Sequence, residues 1–520
     1  MKKKKNSQSL MTSHLHIHDK SFKVAAKRMA AEPIFADGRP FGLLESRLMK
    51  RFLRKLSPTF DPPDRRAVAK QLPAIYRSYK EMVRGYVDEV PFFNVIFDGS
   101  DNITSHRVIN ISVEVPGSVA FYWKTFDTSS TTHLAENCIQ LVLPELEDLC
   151  GGKFSRINAF CTDTASVMRK THADLARMDK FRHCFFSLCD SHGLQLLVKD
   201  ILQMECFKDI SDSTAFITTF FKKSKLQLAR LRNEMMEHWG HVRSFITACL
   251  TRWGSNFKAI ESVQRARRPL QRYARQPDVL ADSEKPEHKL LPTVLLKIND
   301  PLFWHQLDII LAILEPVCKA QLMSEADRAN VGHVIPRWHG IVAEWQKIEA
   351  GKQYPNVPWP QLYNLHTLRM TKQTYDLHFA AFALRPDTVN TPLTPEFNRK
   401  AISFLETTCS QEDFVDVVRD FNNFRARAGD HFGSRILVFH EKFKPLEAWR
   451  FIANQGSLLG SIAVRVFTTI CNSVPSERSF SAVNWIHSKA RNRLLPVNAD
   501  MLAFIFMNSR VLQTIANYVT

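Results

Sequence analysis

Hydrophobic residues in this chain change their spacing several times, and each change marks an element. Residues Met1 to about Ala31 have no period: Lys2 to Lys5, several serines and His14, His16 and His18 describe a flexible basic arm. Leu43, Leu44, Leu48, Phe52, Leu53 and Leu56 then recur as on a helix, which Pro58 and Pro62-Pro63 close before a second helix around Val68 to Tyr76. Pro91 to Asp98 is a short, nearly continuous apolar run ending in a carboxylate, the pattern of a central strand buried on both faces. Ile109, Ile111, Val113 and Val115 alternate with Asn110, Ser112 and Glu114. Pro116-Gly117 then turns the chain into Val119 to Phe126, which predicts a β-hairpin.

Helical spacing returns at Leu134, Cys138, Ile139, Val142 and Leu146, where Pro144 predicts a kink or an early end. Arg156 to Asp163 is another apolar strand that stops at an aspartate, and Arg182 to Leu188 is a third apolar run. Leu194, Leu197, Val198, Ile201 and Leu202 then form one helix face. The order β-β-β-α-β-α-β-α is the layout of a ribonuclease H-like fold with a mixed sheet. From about Cys206 to Phe432 helical spacing dominates, as at Phe216, Phe220 and Phe221 or Leu307, Ile310, Leu311 and Leu314. The fold class is therefore α/β: a ribonuclease H-like core interrupted by a large all-α insertion and preceded by a helical region. The expected divisions are a flexible arm (1–31), a helical N-terminal region (32–90), the first part of the core (91–205), the insertion (206–440) and the last part of the core (441–520). The final helix, with Met501, Leu502, Ile505, Phe506 and Leu512, is apolar enough to need a lid or a partner subunit.

Charge changes the picture at the N-terminal end. Of a net +18, residues 1–90 hold 20 basic against 9 acidic groups, so a polyanion meets this region first. Lys50, Arg51, Arg54, Lys55, Arg65 and Arg66 suit phosphate contacts, and a plain solvated helix face accounts for them almost as well. Ten cysteines with no C-x-x-C pair argue for reduced thiols and against a disulfide framework. The histidines at 14, 16 and 18 could bind a metal, but with no cysteine before Cys138 a Cys/His zinc finger is excluded there. No secretory signal follows Lys5 and no apolar run is long enough to span a bilayer, so a soluble protein is expected, with no membrane partner.

Candidate chemistry rests on three carboxylates. Asp98 and Asp163 end neighbouring strands, where open α/β sheets usually hold ligands. Glu477 lies in an apolar, helical stretch, Ser473 to Ser481, where a carboxylate is costly to desolvate without a cation. Together they offer the hard oxygen donors that suit Mg²⁺ (or Mn²⁺), and two such ions about 4 Å apart serve phosphodiester cleavage. Each aspartate is also readable as a helix N-cap or turn former. Glu477 lies 314 residues beyond Asp163, so only the fold can bring the set together.

Ser476-Glu-Arg-Ser-Phe-Ser481, with Ile486, Arg491 and Leu494, closely resembles the C-terminal dimerisation region of hAT superfamily transposases. Phe97-Asp-Gly99, Thr162-Asp-Thr-Ala165, Cys189-Asp-Ser-His192 and Thr251-Arg-Trp-Gly-Ser255 follow the order of that family's other blocks, so the resemblance covers roughly residues 35–515. It implies a ribonuclease H-like core with a helical insertion and a metal-binding catalytic triad of Asp98, Asp163 and Glu477. It implies further that Arg252 and Trp253 hold a distorted or flipped base, an indole being able to stack on it. Without the resemblance, Trp253 reads first as a simple core residue. Cys189 and His192 resemble the family's Cys-x-x-His element and, lacking a second ligand pair, suit a structural or DNA-contact role. Arg265 and Arg268 belong to a basic stretch of the insertion and are candidate DNA contacts.

The resemblance thus implies an Mg²⁺-dependent DDE transposase in the nucleus. Such a protein binds double-stranded DNA at transposon ends, cleaves it by a two-metal mechanism and self-associates as a homodimer or higher oligomer. The chain departs from the pattern where Ser100 stands for the usual Trp, Thr164 for the usual Asn and Asn484 for a usual Gly, and no zinc finger of the BED type is recognisable. These departures keep a second reading open: a domesticated or degenerate copy that dimerises and binds DNA without catalysis.

Overall fold

The computed structural model describes residues 20–58, 60–101, 107–116, 120–129, 134–247, 254–433, 443–486 and 494–519. They form two compact units, residues 1–186 with 473–520, and residues 187–472. The first unit contains α1 (Lys20–Ala36), α2 (Arg47–Leu56), α3 (Arg65–Asp88), β1 (Phe93–Asp101), β2 (Arg107–Glu114), β3 (Phe121–Asp127), α4 (Ala135–Cys150), β4 (Ile157–Thr162) and α5 (Ser166–Ala176). β5 (Phe185–Leu188) ends it, and the chain returns to the unit as α6 (Val474–Ile486) and α7 (Pro496–Val519). Helices of the second unit are given by their residues.

The sheet is five-stranded and mixed, in the order β3-β2-β1-β4-β5, with β1 antiparallel to β2 and parallel to β4. The apolar runs explain the central strands: Phe93, Val95, Ile96 and Phe97 on β1 and Ile157, Ala159, Phe160 and Cys161 on β4 are fully buried. The alternation along β2 has a less obvious meaning. Its polar residues, Asn110, Ser112 and Glu114, are as buried as its apolar ones. α6 packs on β1, β2 and β3, so the polar face meets protein; Asn110 finds partners on α6 and Glu114 on β1, while the Ser112 hydroxyl is buried without one among the described residues. Asn94 donates to Glu114 Oε2 at 2.5 Å and Asn158 donates to Asn94 Oδ1 at 3.1 Å, a polar line across three strands.

Several expectations change in the first unit. Residues 20–31, expected in the flexible arm, lie in α1, which buries Ala31, Ile34 and Phe35; residues 1–19 lie outside the described residues. The second N-terminal helix runs on through Pro73 to Asp88, burying Val83 and Val87 beyond the expected end. Pro144 does not stop α4, which continues to Cys150. The apolar face of α7, including Leu502, Phe504 and Ile505, is covered by α1, α3 and β3, so the lid it needs comes from its own chain.

The second unit is helical, with long elements at Pro301–Ser324, Val334–Ala350 and Trp359–Gln373. Its boundaries differ from the expected insertion, 206–440, since it takes in Ser187 to Met204 and extends to Asn472. The reason is a buried anchor at the start of the helix Asp190–Gln203. Arg337 and Trp338 donate to the two oxygens of Asp190 at 2.6 and 2.7 Å, and the Asp190 amide donates to Cys471 O at 2.8 Å. The described cysteines, from Cys138 to Cys471, are free thiols, and among the described residues no helix is long and apolar enough to cross a membrane.

Candidate active site

Strand register brings the two aspartates to equivalent positions. The last β1–β4 partners are Ile96 and Cys161, and Asp98 and Asp163 each lie two residues further along. The structure corrects one detail: Asp98 does not end its strand, because antiparallel pairing with β2 carries β1 on to Asp101. Asp98 is opposite Asn110, so both side chains point to the sheet face that α6 covers.

The start of α6 closes over Asp98. Ser473 donates its hydroxyl to Asp98 Oδ2 at 3.0 Å, and Glu477 follows one helical turn later, its amide bonded to Ser473 O at 3.2 Å. Asn110 donates to Ser479 Oγ at 2.7 Å and to Ser476 O at 3.4 Å. Serines at 473, 476 and 479 thus orient the helix toward the sheet, which leaves Glu477 between two anchored turns. Asp163 forms an Asx turn, its Oδ1 accepting from Ala165 N at 2.9 Å. It is therefore a turn former as well as a strand-end acid.

Asp98 carries the electrostatic signature of the site. Burial pushes its carboxyl well above the usual carboxylate range, and the negative charges of Asp163 and Glu477 push it the same way. The Ser473 hydroxyl and the Gly99 amide pull it back. Asp98, 7 % exposed, is thus near enough to both other acids to feel their charge. Among the described residues no three His, Cys, Asp or Glu side chains are already gathered into a metal-holding cluster. The all-oxygen donor set, with one acid destabilised in its charged form by the other two, nevertheless fits a hard divalent cation, which would neutralise that repulsion.

His172 supports the Asp163 side. Thr162 Oγ1 lies 3.1 Å from Asp163 O and 3.0 Å from His172 Nε2, which ties the ring to the strand end. Burial, with Arg169 adding to it, pushes the imidazole down to about 3. His172 packs edge-on against Phe97, the neighbour of Asp98. Sequence reasoning missed His172 because a lone histidine on a helix carries no signal. Asn110 had one, its polar place in the β2 alternation, and Ser473 lay inside the stretch already singled out.

The remaining candidates lie in the second unit. Cys189 is fully buried, which removes it from direct contact with DNA, and its block is anchored through Asp190 as described. His192 is partly exposed. Arg268 is exposed, and Arg265 is exposed but ion-paired with Glu261. Arg252 and Trp253 lie outside the described residues, as does Arg491.

Two family models match the chain. Residues 89–217 match a domain of unknown function (DUF659), and residues 428–509 match the hAT family C-terminal dimerisation region. The first spans Asp98, Asp163 and the Cys189 block, and the second spans Glu477. No curated protein matches the chain.

Proposed function

The chain is an hAT-family transposase-like protein, and from that premise we propose that it binds DNA and cleaves phosphodiester bonds at a ribonuclease H-like DDE site. The single observation that carries this reading is that buried Asp98 feels the charges of both Asp163 and Glu477, three acids from two separately matched segments. These residues would hold Mg²⁺ or Mn²⁺, which when bound activates an attacking oxygen and stabilises the leaving one. The chain's own groups set the stage. Ser473 holds Asp98 by its Oδ2, Thr162 and His172 fix the strand end that bears Asp163, and the serines of α6 fix the turn that bears Glu477. The strand order and the helix inserted after β5 support the ribonuclease H-like reading.

Arg265, Arg268, Arg252, Trp253 and His192 are the proposed DNA contacts, and the nucleus is the proposed compartment. The match to a dimerisation region supports self-association, with a homodimer as the simplest form. A second reading, a copy that self-associates and binds DNA without cutting it, is favoured by Ser100 and Thr164 beside the two aspartates.

Mg²⁺- or Mn²⁺-dependent cleavage of the matching terminal inverted repeat DNA, wild type against Asp163→Asn, tests the proposal. Wild type cuts and the variant does not; equal cutting by both removes Asp163 from catalysis. DNA binding measured alongside, with Arg265→Ala/Arg268→Ala as the weakened control, weakens steeply as salt rises. Salt-sensitive binding without cleavage by either protein supports the second reading.

A further inference from the structure

A line of buried and half-buried polar groups runs from α7 to the start of α6. Asp500 Oδ1 lies 2.6 Å from Tyr122 Oη, which lies 2.6 Å from Thr125 Oγ1, which lies 2.5 Å from Asn110 Oδ1. From Asn110 the line continues through Nδ2 to Ser479 Oγ at 2.7 Å and on to Ser476 O at 2.6 Å. Six groups are joined by five links, and each link needs one proton. Ser479, Thr125 and Tyr122 bring one each, and Asn110 brings one, since its amide donates on one side and accepts on the other. One proton is missing. Turning the Asn110 amide over does not supply it; the gap merely moves to the link between Ser479 and Ser476.

We propose that Asp500 is a neutral carboxylic acid in the folded protein, supplies the fifth proton, and so acts as a positioning residue for the helix that carries Glu477. The proton order is then uniform: Asp500 to Tyr122, Tyr122 to Thr125, Thr125 to Asn110, Asn110 to Ser479, Ser479 to Ser476 O. The Thr125 amide, 3.2 Å from the same Oδ1, donates to a lone pair that a carboxyl oxygen keeps in either state.

The surroundings agree. Part of the residue reaches the surface, yet burial of the carboxyl pushes it above the usual carboxylate range, as Glu145 on α4 also does. Lys124 on β3 and the hydrogen bonds from Tyr122 and Thr125 oppose this. Tyr76 on α3 and Tyr122 on β3 also face Asp500. Burial raises both, Tyr76 to about 12, so their phenol protons stay in place.

Ionising Asp500 empties one link. Tyr122 turns its proton to the carboxylate, Thr125 turns to Tyr122, and the 2.5 Å contact between Thr125 and Asn110 is left with two facing lone pairs. Asn110 is the register partner of Asp98 and holds Ser479, so a charge change on α7 is felt at the first turn of α6. The consequence for Glu477 rests on the DDE reading; the proton on Asp500 does not.

Infrared difference spectra of the full chain, wild type minus Asp500→Asn, test the proton. At neutral pH the carbonyl band of a protonated carboxylic acid is present in wild type and lost in the variant; a difference showing only a carboxylate band overturns the proposal. Amide hydrogen exchange over 474–486 tests the positioning. Asp500→Asn, whose amide still donates to Tyr122, leaves it unchanged, and Asp500→Leu speeds it roughly tenfold. Equal exchange in all three proteins removes the positioning role. Neither readout needs DNA or a divalent cation, so a failed cleavage assay leaves both intact.

Discussion

Replacing Arg337 with Met tests the claim that the Cys189-Asp-Ser-His192 block anchors the second unit. Asp190 is fully buried and Arg337 is 8 % exposed, with the guanidinium 2.6 Å from the carboxylate. Met matches much of the stem and removes the charge, leaving a buried carboxylate with Trp338 Nε1 as its remaining side-chain donor. Breaking such a pair from one side costs about 3–5 kcal/mol, because the surviving ion keeps its desolvation penalty and loses its counter-charge. In a unit of this size that lowers the melting temperature by about 5–10 °C. Removing both charges, as Asp190→Leu/Arg337→Met, leaves no ion behind and recovers most of the loss. Denaturant unfolding of the full chain, followed by tryptophan fluorescence, gives the four corners of the cycle. A loss below about 1 kcal/mol for the single variant, or a double variant no more stable than the single, would refute the reasoning.

Two other expectations follow from packing and titration. A Cβ at Gly460 would lie 2.7 Å from Ala453 N and 2.9 Å from its Cα, so Gly460→Ala forces apart the helices Pro445–Ala453 and Leu458–Phe467 at about 1–3 kcal/mol; an unmoved denaturation midpoint would remove the close approach. His172 is held down to about 3, and His333, His366 and His378 to about 4, all chiefly by burial, from the ordinary 6.5. Their folded values are depressed, so the stability they bring is full above pH 6.5 and is lost as pH falls toward 4. Unfolding at about pH 5 therefore takes up protons, and calorimetry in buffers of different ionisation heat reads that uptake; release or no exchange contradicts the sign.

The strands, the hairpin, the helical insertion and the three acids are legible along the chain because each depends on local spacing: period two, period near 3.6, or an apolar run stopping at a carboxylate. What covers each face is not local. Alternation along β2 predicts the strand and not what its polar side meets; that side is buried because α6, more than 360 residues later in the chain, lies on it. The apolar side of α7 calls for a lid or a partner subunit, and only the fold shows that helices from the opposite end of the chain supply the lid. Cys189 reads as either a structural or a DNA-contact residue, and its burial beside Asp190, around which Arg337, Trp338 and Cys471 close, leaves the structural one.

The sequence by itself determined the elements and the residue types able to hold a hard cation. Tertiary structure alone decided that Asp98 and Asp163 share a register and that Ser473 brings the first turn of α6 down on Asp98. It also decided that Asp500 meets Tyr122 at the end of a line of hydrogen-bonded polar side chains. Spacing along a chain fixes which way a side chain points from its own backbone. Desolvation, shared fields and proton counts depend on what arrives from elsewhere, and that is settled only when distant segments pack.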